Sequence, residues 1–165
     1  MTPTTTPQAL VVGVADCQVS NAPGAQIVTY ALGSCLGITV YDRVNRVGGL
    51  LHVMLPDSTI NRANGERPAM YVDTGIPLLL KMMEKLGGLP GRLTCKIFGG
   101  AQVLNADSYF RIGEKNINAA DRWAKQCGLR VSVWEVGGQV NRTIRLSLET
   151  GEVKVRTPNR EDFIL

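Results

Sequence analysis

One cysteine and the single histidine of the chain are the residues whose types and spacing best fit covalent chemistry. Cys35 lies between glycines in Ala31-Leu-Gly-Ser-Cys-Leu-Gly-Ile38, and small neighbours allow a substrate amide to approach a thiol closely. His52 follows seventeen residues later. A thiol beside an imidazole is the minimal machinery of acyl transfer. The imidazole accepts the thiol proton, the sulfur attacks a carbonyl carbon, and the imidazolium protonates the leaving group.

A β-hairpin is the element that must bring these two residues together. Its predicted parts are a strand over Gly37–Tyr41, a turn over Asp42–Arg46 and a returning strand over Val47–Leu55. With the turn centred near Asn45, residues 36–42 lie roughly opposite residues 48–54. Cys35 and His52 are therefore expected at the same end of the hairpin.

A third group is expected to orient the imidazole, as the acid does in a serine triad. Thr29, six residues before Cys35 on the preceding predicted strand, offers a hydroxyl for this purpose. The alternative interpretation is structural, because a lone cysteine in an apolar segment is more often a core residue and a lone histidine is more often a satisfied polar group. The other three cysteines, which have no second histidine to activate them, are interpreted as core residues: Cys17, Cys95 and Cys127.

Strand-like and helix-like segments alternate along the rest of the chain, with glycines between them. The further predicted strands are Leu10–Val14, Gln26–Ala31, Leu93–Phe98, Leu129–Val136, Thr143–Leu148 and Glu152–Arg156. Apolar residues at helical spacing predict one helix over about 70–86 and another over about 113–127, with Gly128 as its C-cap. Pro77 falls in the early turns of the first helix, where proline is best tolerated.

This pattern predicts an α/β or α+β domain with a mixed or largely antiparallel sheet core and two main helices. The domain is expected over residues 10–165, after a disordered tail over residues 1–9. Residues 57–68 are polar and are expected to form a loop.

Composition excludes several classes of protein. The net charge of +4 is small and its basic residues are scattered, which argues against nucleic-acid binding. The longest uncharged stretch, Cys17–Tyr41, contains a proline and three glycines and does not fit a membrane span. No signal peptide is recognisable, so a cytoplasmic location with free thiols is expected. No Cys-x-x-Cys pair occurs, which leaves a zinc site built from cysteines and His52 as a weak alternative.

Several strings of the sequence are similar to one known family. They are Tyr30-Ala-Leu-Gly-Ser-Cys-Leu-Gly-Ile-Thr-Val-Tyr-Asp42, Gly49-Leu-Leu-His-Val-Met-Leu-Pro56, Tyr71-Val-Asp-Thr-Gly-Ile-Pro77, Lys96-Ile-Phe-Gly-Gly-Ala101 and Phe110-Arg-Ile-Gly-Glu-Lys-Asn116. Together they closely resemble the chemoreceptor glutamine deamidase family, CheD, over roughly residues 10–157.

The resemblance implies a sandwich fold related to the catalytic domain of deamidating bacterial toxins. It implies Cys35 as nucleophile, His52 as base and Thr29 as their support, without metal or cofactor. The implied reaction converts specific glutamines of methyl-accepting chemotaxis receptors to glutamates and releases ammonia. Some members also hydrolyse receptor methyl esters or bind a CheC-type phosphatase. The alternative function is therefore that of a regulatory partner of such a phosphatase, with or without methylesterase activity.

Further roles follow from the chemistry of a carboxamide and from the expected substrate. Backbone N–H groups around Gly33 and Ser34 are candidates for binding the oxyanion that forms on attack. Arg62 and Arg67 are candidates for docking on acidic receptor helices. The turn over residues 98–100 either borders the active site, binds a partner, or is only a strand end and a tight turn.

Two more residues that resemble family positions, Asn116 and Arg142, are predicted to be structural. The sequence leaves the oligomeric state open.

Overall fold

The computed structural model describes residues 8–59, 67–102 and 111–165, and within these ranges it contains two five-stranded sheets and two α-helices. The strands are β1 (Ala9–Val11), β2 (Asp16–Ser20), β3 (Gln26–Leu32), β4 (Leu36–Asp42), β5 (Val47–Val53), β6 (Leu93–Gly99), β7 (Val131–Val136), β8 (Arg142–Ser147), β9 (Val153–Arg156) and β10 (Phe163–Ile164). The helices are α1 (Val72–Lys85) and α2 (Ile112–Gln126), and short 3-10 turns lie at Pro68–Met70 and Pro90–Arg92.

The first sheet has the strand order β1-β3-β8-β9-β10, and the second has the order β2-β5-β4-β6-β7. Two pairs, β1 with β3 and β6 with β7, are parallel. The other pairs are antiparallel. The predicted α+β sandwich with mixed sheets and two main helices is confirmed.

Two apolar cores lie on the two faces of the second sheet. The helix-side core packs α1 and α2 against one face and includes Ile38, Ile76 and Ala120. The inter-sheet core lies between the sheets and includes Ile27 and Phe98. Strands β4 and β5 are buried along their whole length, as expected of central strands, and their buried polar residues are Thr39, Asp42 and His52.

Helix α1 follows the predicted spacing, with a buried stripe formed by Ile76, Leu79 and Met83. Pro77 is the sixth residue of α1 and lies in its second turn, within the early turns where it was predicted. Since proline has no N–H, it cannot donate the helical hydrogen bond to the carbonyl of Asp73.

The predicted hairpin forms, but its register differs from the prediction by one residue. Residues 36–42 pair with residues 47–53, so that Asp42 lies opposite Val47. The buried Asp42 carboxylate tightens the turn because its Oδ1 accepts hydrogen bonds from the N–H groups of Val44 at 2.9 Å and Asn45 at 3.2 Å.

Strands β2 and β10 were not predicted. Most of the polar loop predicted over residues 57–68, and most of the tail predicted over residues 1–9, lies outside the described residues. Among the helices of the described chain, none is long and apolar enough to cross a membrane.

Candidate active site

The observed hairpin register places Cys35 and His52 on the same face of the second sheet. His52 lies directly opposite Gly37, and side chains two residues apart on a strand share a face. Cys35 precedes β4 and packs against the inter-sheet core. A register shifted by one residue would have turned His52 toward the helices. Gly37 carries no side chain, and the side chains of Leu32 and Ile144 pack over it instead.

His52 is buried, with only 2% of its surface exposed, and a residue of β3 in the first sheet bonds its ring. The Thr29 hydroxyl donates a hydrogen bond of 2.7 Å to the Val12 carbonyl and lies 2.7 Å from His52 Nδ1. A hydroxyl has a single proton, and a carbonyl only accepts, so Thr29 Oγ1 must accept from Nδ1–H. This fixes the tautomer and leaves the lone pair on Nε2.

His52 Nε2 is buried and has no hydrogen-bond partner among the described residues, Cys35 included. An unpartnered buried polar atom is uncommon and needs a physical reason. Here the atom is the basic nitrogen of an oriented imidazole, on the face that Cys35 shares. An imidazole held in this way can accept a proton at Nε2.

Burial sets the protonation of both groups. It lowers the pKa of His52 to about 4, while the negative charge of Asp16 opposes this shift. Asp16 lies on β2 directly opposite His52. Burial also raises the pKa of the Cys35 thiol, and a hydrogen bond from the residue's own backbone N–H opposes this rise. Near neutral pH the pair is therefore a neutral thiol and a neutral imidazole.

The loop before β4 is anchored through three successive carbonyl groups. The Gly33 carbonyl accepts from the N–H of Ala101 at 2.8 Å, and that of Cys35 from the N–H of Gly100 at 2.9 Å. Between them, the Ser34 carbonyl accepts from Asn116 Nδ2 at 2.9 Å. Each bond fixes one peptide plane next to the thiol.

The turn over residues 98–100 borders this loop, and its predicted roles at the active site or in partner binding stay predictions. Gly99 has a φ of +102°, and a Cβ placed there would overlap the backbone carbonyl of Cys35. Glycine is thus required at this position both by the backbone conformation and by the close approach of the loop.

A cleft of about 720 Å³ opens beside the loop. Its lining includes the candidate oxyanion residues Gly33 and Ser34, together with Gly100, Ile112 and Ile117. Neither Cys35 nor His52 is among the described residues that line it, so the cleft adjoins the pair without containing it.

The two candidate docking arginines fall elsewhere. Arg62 lies outside the described residues. Arg67 is exposed and lines a separate hollow of about 240 Å³ with Asp16 and Cys17. Its docking role stays a prediction.

The structure also identifies contacts that sequence reasoning missed. Asp16 was not considered, because β2 was not predicted and no local pattern pairs it with His52. Asn116 was predicted to be structural. Its amide bonds the loop before Cys35, and it also donates a hydrogen bond of 3.0 Å to the Met54 carbonyl, two residues after His52. Arg142, likewise predicted to be structural, donates to the carbonyls of Gly99 and Gly137.

The other cysteines lie apart from the pair. Cys17, Cys95 and Cys127 all belong to or pack against the helix-side core. Within the described ranges, no three His, Cys, Asp or Glu side chains are grouped as metal ligands would be.

Comparison with known proteins agrees with the sequence resemblance. The family model described as CheD chemotactic sensory transduction matches residues 54–157. A Thermococcus kodakarensis protein named "Probable chemoreceptor glutamine deamidase CheD" is 48% identical over 147 residues, which is 88% of this chain and 90% of that protein. A Pyrococcus horikoshii protein of the same name is 48% identical over 147 residues, which is again 88% of this chain and 90% of that protein.

A third relative is slightly less similar. The Desulforamulus reducens protein, again named "Probable chemoreceptor glutamine deamidase CheD", is 43% identical over 149 residues, covering 88% of this chain and 89% of that protein. The match to the family model and the identity over nearly the full length of these relatives show that this chain belongs to the CheD family.

Proposed function

We propose that Cys35 and His52 carry out the reaction that the names of the relatives describe, hydrolysis of glutamine side chains in chemoreceptors. As a CheD protein, the chain is an amidohydrolase acting on glutamine. The proposal concerns which residues perform the chemistry and how.

The observation that carries the proposal is the state of the His52 ring. Its Nδ1–H is held by Thr29, its Nε2 is buried without a partner among the described residues, and Cys35 lies on the same face. A purely structural buried histidine would be expected to use both ring nitrogens.

Acylation begins from the neutral pair. As the Cys35 sulfur bonds to the carboxamide carbon, the thiol proton passes to His52 Nε2 and the carbonyl electron pair moves onto oxygen. The imidazolium formed in this step is stabilised by the negative charge of Asp16. Backbone N–H groups of the loop containing Gly33 and Ser34 are the proposed donors to the oxyanion.

Collapse of the tetrahedral intermediate breaks the C–N bond. The departing nitrogen takes the proton from His52, ammonia leaves, and a glutamyl thioester remains on Cys35. Neutral His52 then takes a proton from water, whose oxygen attacks the thioester. Cys35 leaves as a thiol with that proton, and the carboxylic acid product loses its own proton to solvent, which gives a glutamate side chain.

The product differs from the substrate by one negative charge on a receptor helix. Charge changes of this kind alter the repulsion between neighbouring side chains on helices. Methylesterase activity, binding to a CheC-type phosphatase and the cytoplasmic location stay predictions from the resemblance and the composition.

The test is mass spectrometry of a receptor cytoplasmic fragment incubated with wild-type protein or with Cys35→Ala. Wild-type protein is expected to raise the mass by about one dalton at particular glutamines, since OH replaces NH2, and to release ammonia. The proposal is wrong if Cys35→Ala modifies the fragment as fast as wild type.

A further inference from the structure

We infer that Asn116 is a positioning residue for the proposed reaction: its amide orients the peptide bond between Ser34 and Cys35 so that the Cys35 N–H serves the oxyanion. The inference rests on the proposed function. It assigns to a helix residue outside the catalytic pair an effect on the rate of amide attack.

Both N–H bonds of the Asn116 amide are used. Nδ2 donates to the Ser34 carbonyl at 2.9 Å and to the Met54 carbonyl at 3.0 Å. Because carbonyl oxygens only accept, this fixes which end of the amide is nitrogen. One side chain of α2 thus joins the loop before Cys35 to the segment after His52.

Asn116 is fully buried, and its Oδ1 has no hydrogen-bond partner among the described residues. Burying an amide whose oxygen accepts no hydrogen bond lowers stability, so stability by itself does not explain this residue. The two donated bonds therefore point to a role in placing the two carbonyl groups.

No cis peptide bonds occur among the described residues, and in a trans peptide the C=O and N–H groups point in opposite directions. Anchoring the Ser34 carbonyl on Asn116 therefore directs the Cys35 N–H away from α2. That N–H opposes the rise in the pKa of the Cys35 thiol, as expected of a donor that faces the sulfur. A donor beside the attacking sulfur is suitably placed for the oxyanion formed by attack.

The anchors on either side complete the constraint. The Gly33 and Cys35 carbonyls are held by backbone N–H groups of Ala101 and Gly100, which no side-chain substitution removes. The Ser34 carbonyl alone of the three depends on a side chain. Replacing Asn116 should thus release the middle peptide plane while the outer two stay bonded.

The test compares two reactions of the same thiol. Hydrolysis of receptor glutamine develops an oxyanion, whereas alkylation of Cys35 by iodoacetamide does not. Asn116→Asp keeps the size of the side chain but replaces the donor nitrogen with an acceptor oxygen, and Asn116→Ala removes the amide. Asn118→Asp and Asn118→Ala, at an exposed position of the same helix, are the matched controls.

Both Asn116 variants are expected to lower kcat for ammonia release about 10- to 100-fold with little change in KM. Their Cys35 alkylation rate should stay within about threefold of wild type, because no oxyanion has to be stabilised. The Asn118 variants should match wild type in both reactions.

A parallel fall in hydrolysis and alkylation, an unchanged kcat, or failure of both Asn116 variants to fold would overturn the inference in favour of a purely structural role. If wild type and the Asn118 variants release no ammonia, the proposed function itself fails. If they release ammonia and the Asn116 variants do so equally, only this inference fails.

Discussion

The two faces of the second sheet place cysteines in different surroundings. On the helix-covered face, Cys95 and Cys17 are buried in an apolar core, and burial raises the pKa of each thiol to about 12. On the face toward the first sheet, Cys35 is half-buried and shares the surface with His52. Both faces belong to the same few strands, so the difference arises from which way each side chain points.

Strand register decides which thiol lies on the same side of the sheet as the imidazole. Cys95 pairs with Val40 on the helix side, whereas His52 pairs with Gly37 on the inter-sheet side. Only a cysteine on the inter-sheet side can approach an imidazole there. Desolvation suppresses ionisation of the helix-side thiols, and the single histidine of the chain, His52, lies on the other face of the sheet.

Replacing His52, the proposed base, should have the largest effect on activity. His52→Asn keeps a donor for Thr29 but removes the basic nitrogen, so kcat for ammonia release is expected to fall about 1000-fold or more. The matched control is Ile97→Val in the helix-side core, which should cost about 1 kcal/mol of unfolding free energy and leave kcat unchanged. Equal kcat values for His52→Asn and wild type would remove the base from the mechanism.

A methyl group added at Gly99 should destabilise the protein, because the Cys35 loop approaches this residue closely. Gly99→Ala combines strain at a φ of +102° with overlap on the Cys35 carbonyl, and it should lower the unfolding free energy by about 3 kcal/mol. Gly128→Ala is the control for strain alone, since Gly128 has a φ of +71° and nothing within 4 Å of an added Cβ. It should cost about 1 kcal/mol. Similar losses in chemical denaturation would show that the loop does not press on Gly99.

Stability should depend on pH through His52. Burial lowers its pKa from 6.5 to about 4, so between these values the unfolded chain binds a proton that the folded protein does not. The unfolding free energy should therefore fall as the pH drops from 6.5 toward 4, by up to about 3 kcal/mol from this residue. Denaturation of wild type and His52→Asn at several pH values isolates this contribution, because both proteins keep the same carboxylates. An identical pH dependence in the two proteins would contradict the buried neutral imidazole.

Removing the Thr29 hydroxyl, which bonds the imidazole of His52, should have the smallest effect on activity. Thr29→Val leaves the Nδ1–H of His52 without its acceptor, and kcat should fall about tenfold, with Thr29→Ser restoring most of the loss. Thr39→Val is the control, since Thr39 is a buried threonine that bonds the Lys96 carbonyl instead. The assignment fails if the two valine variants have the same kcat.

Much of the fold could be predicted from local patterns. In β4, Ile38 and Val40 alternate with Thr39 and Tyr41, and the structure places the first two in the helix-side core and Tyr41 on the opposite face, as strand periodicity predicts. Helical spacing and glycine stops located α1 and α2. These patterns involve residues close together in the sequence, so they can be recognised without knowing which strands pair.

Long-range pairing could not be predicted in the same way. Strand β2, Asp-Cys-Gln-Val-Ser, has no long apolar run, and it is a strand because β5 pairs with it. The register of the hairpin depends on how the Asp42 carboxylate tightens the turn, which no alternation pattern records. The Asn116 bridge joins residues far apart in sequence, 82 positions in the case of Ser34, and only the packed structure brings them together.

The most direct test of the account is ammonia release from a receptor fragment by four single variants, in which Cys17, Cys35, Cys95 or Cys127 is replaced by alanine. The account predicts that Cys35→Ala has no measurable activity. It predicts that the three helix-side variants keep kcat close to that of wild type at temperatures where they are folded. Activity in Cys35→Ala, or its loss in a folded helix-side variant, would contradict the assignment of the inter-sheet thiol as the nucleophile.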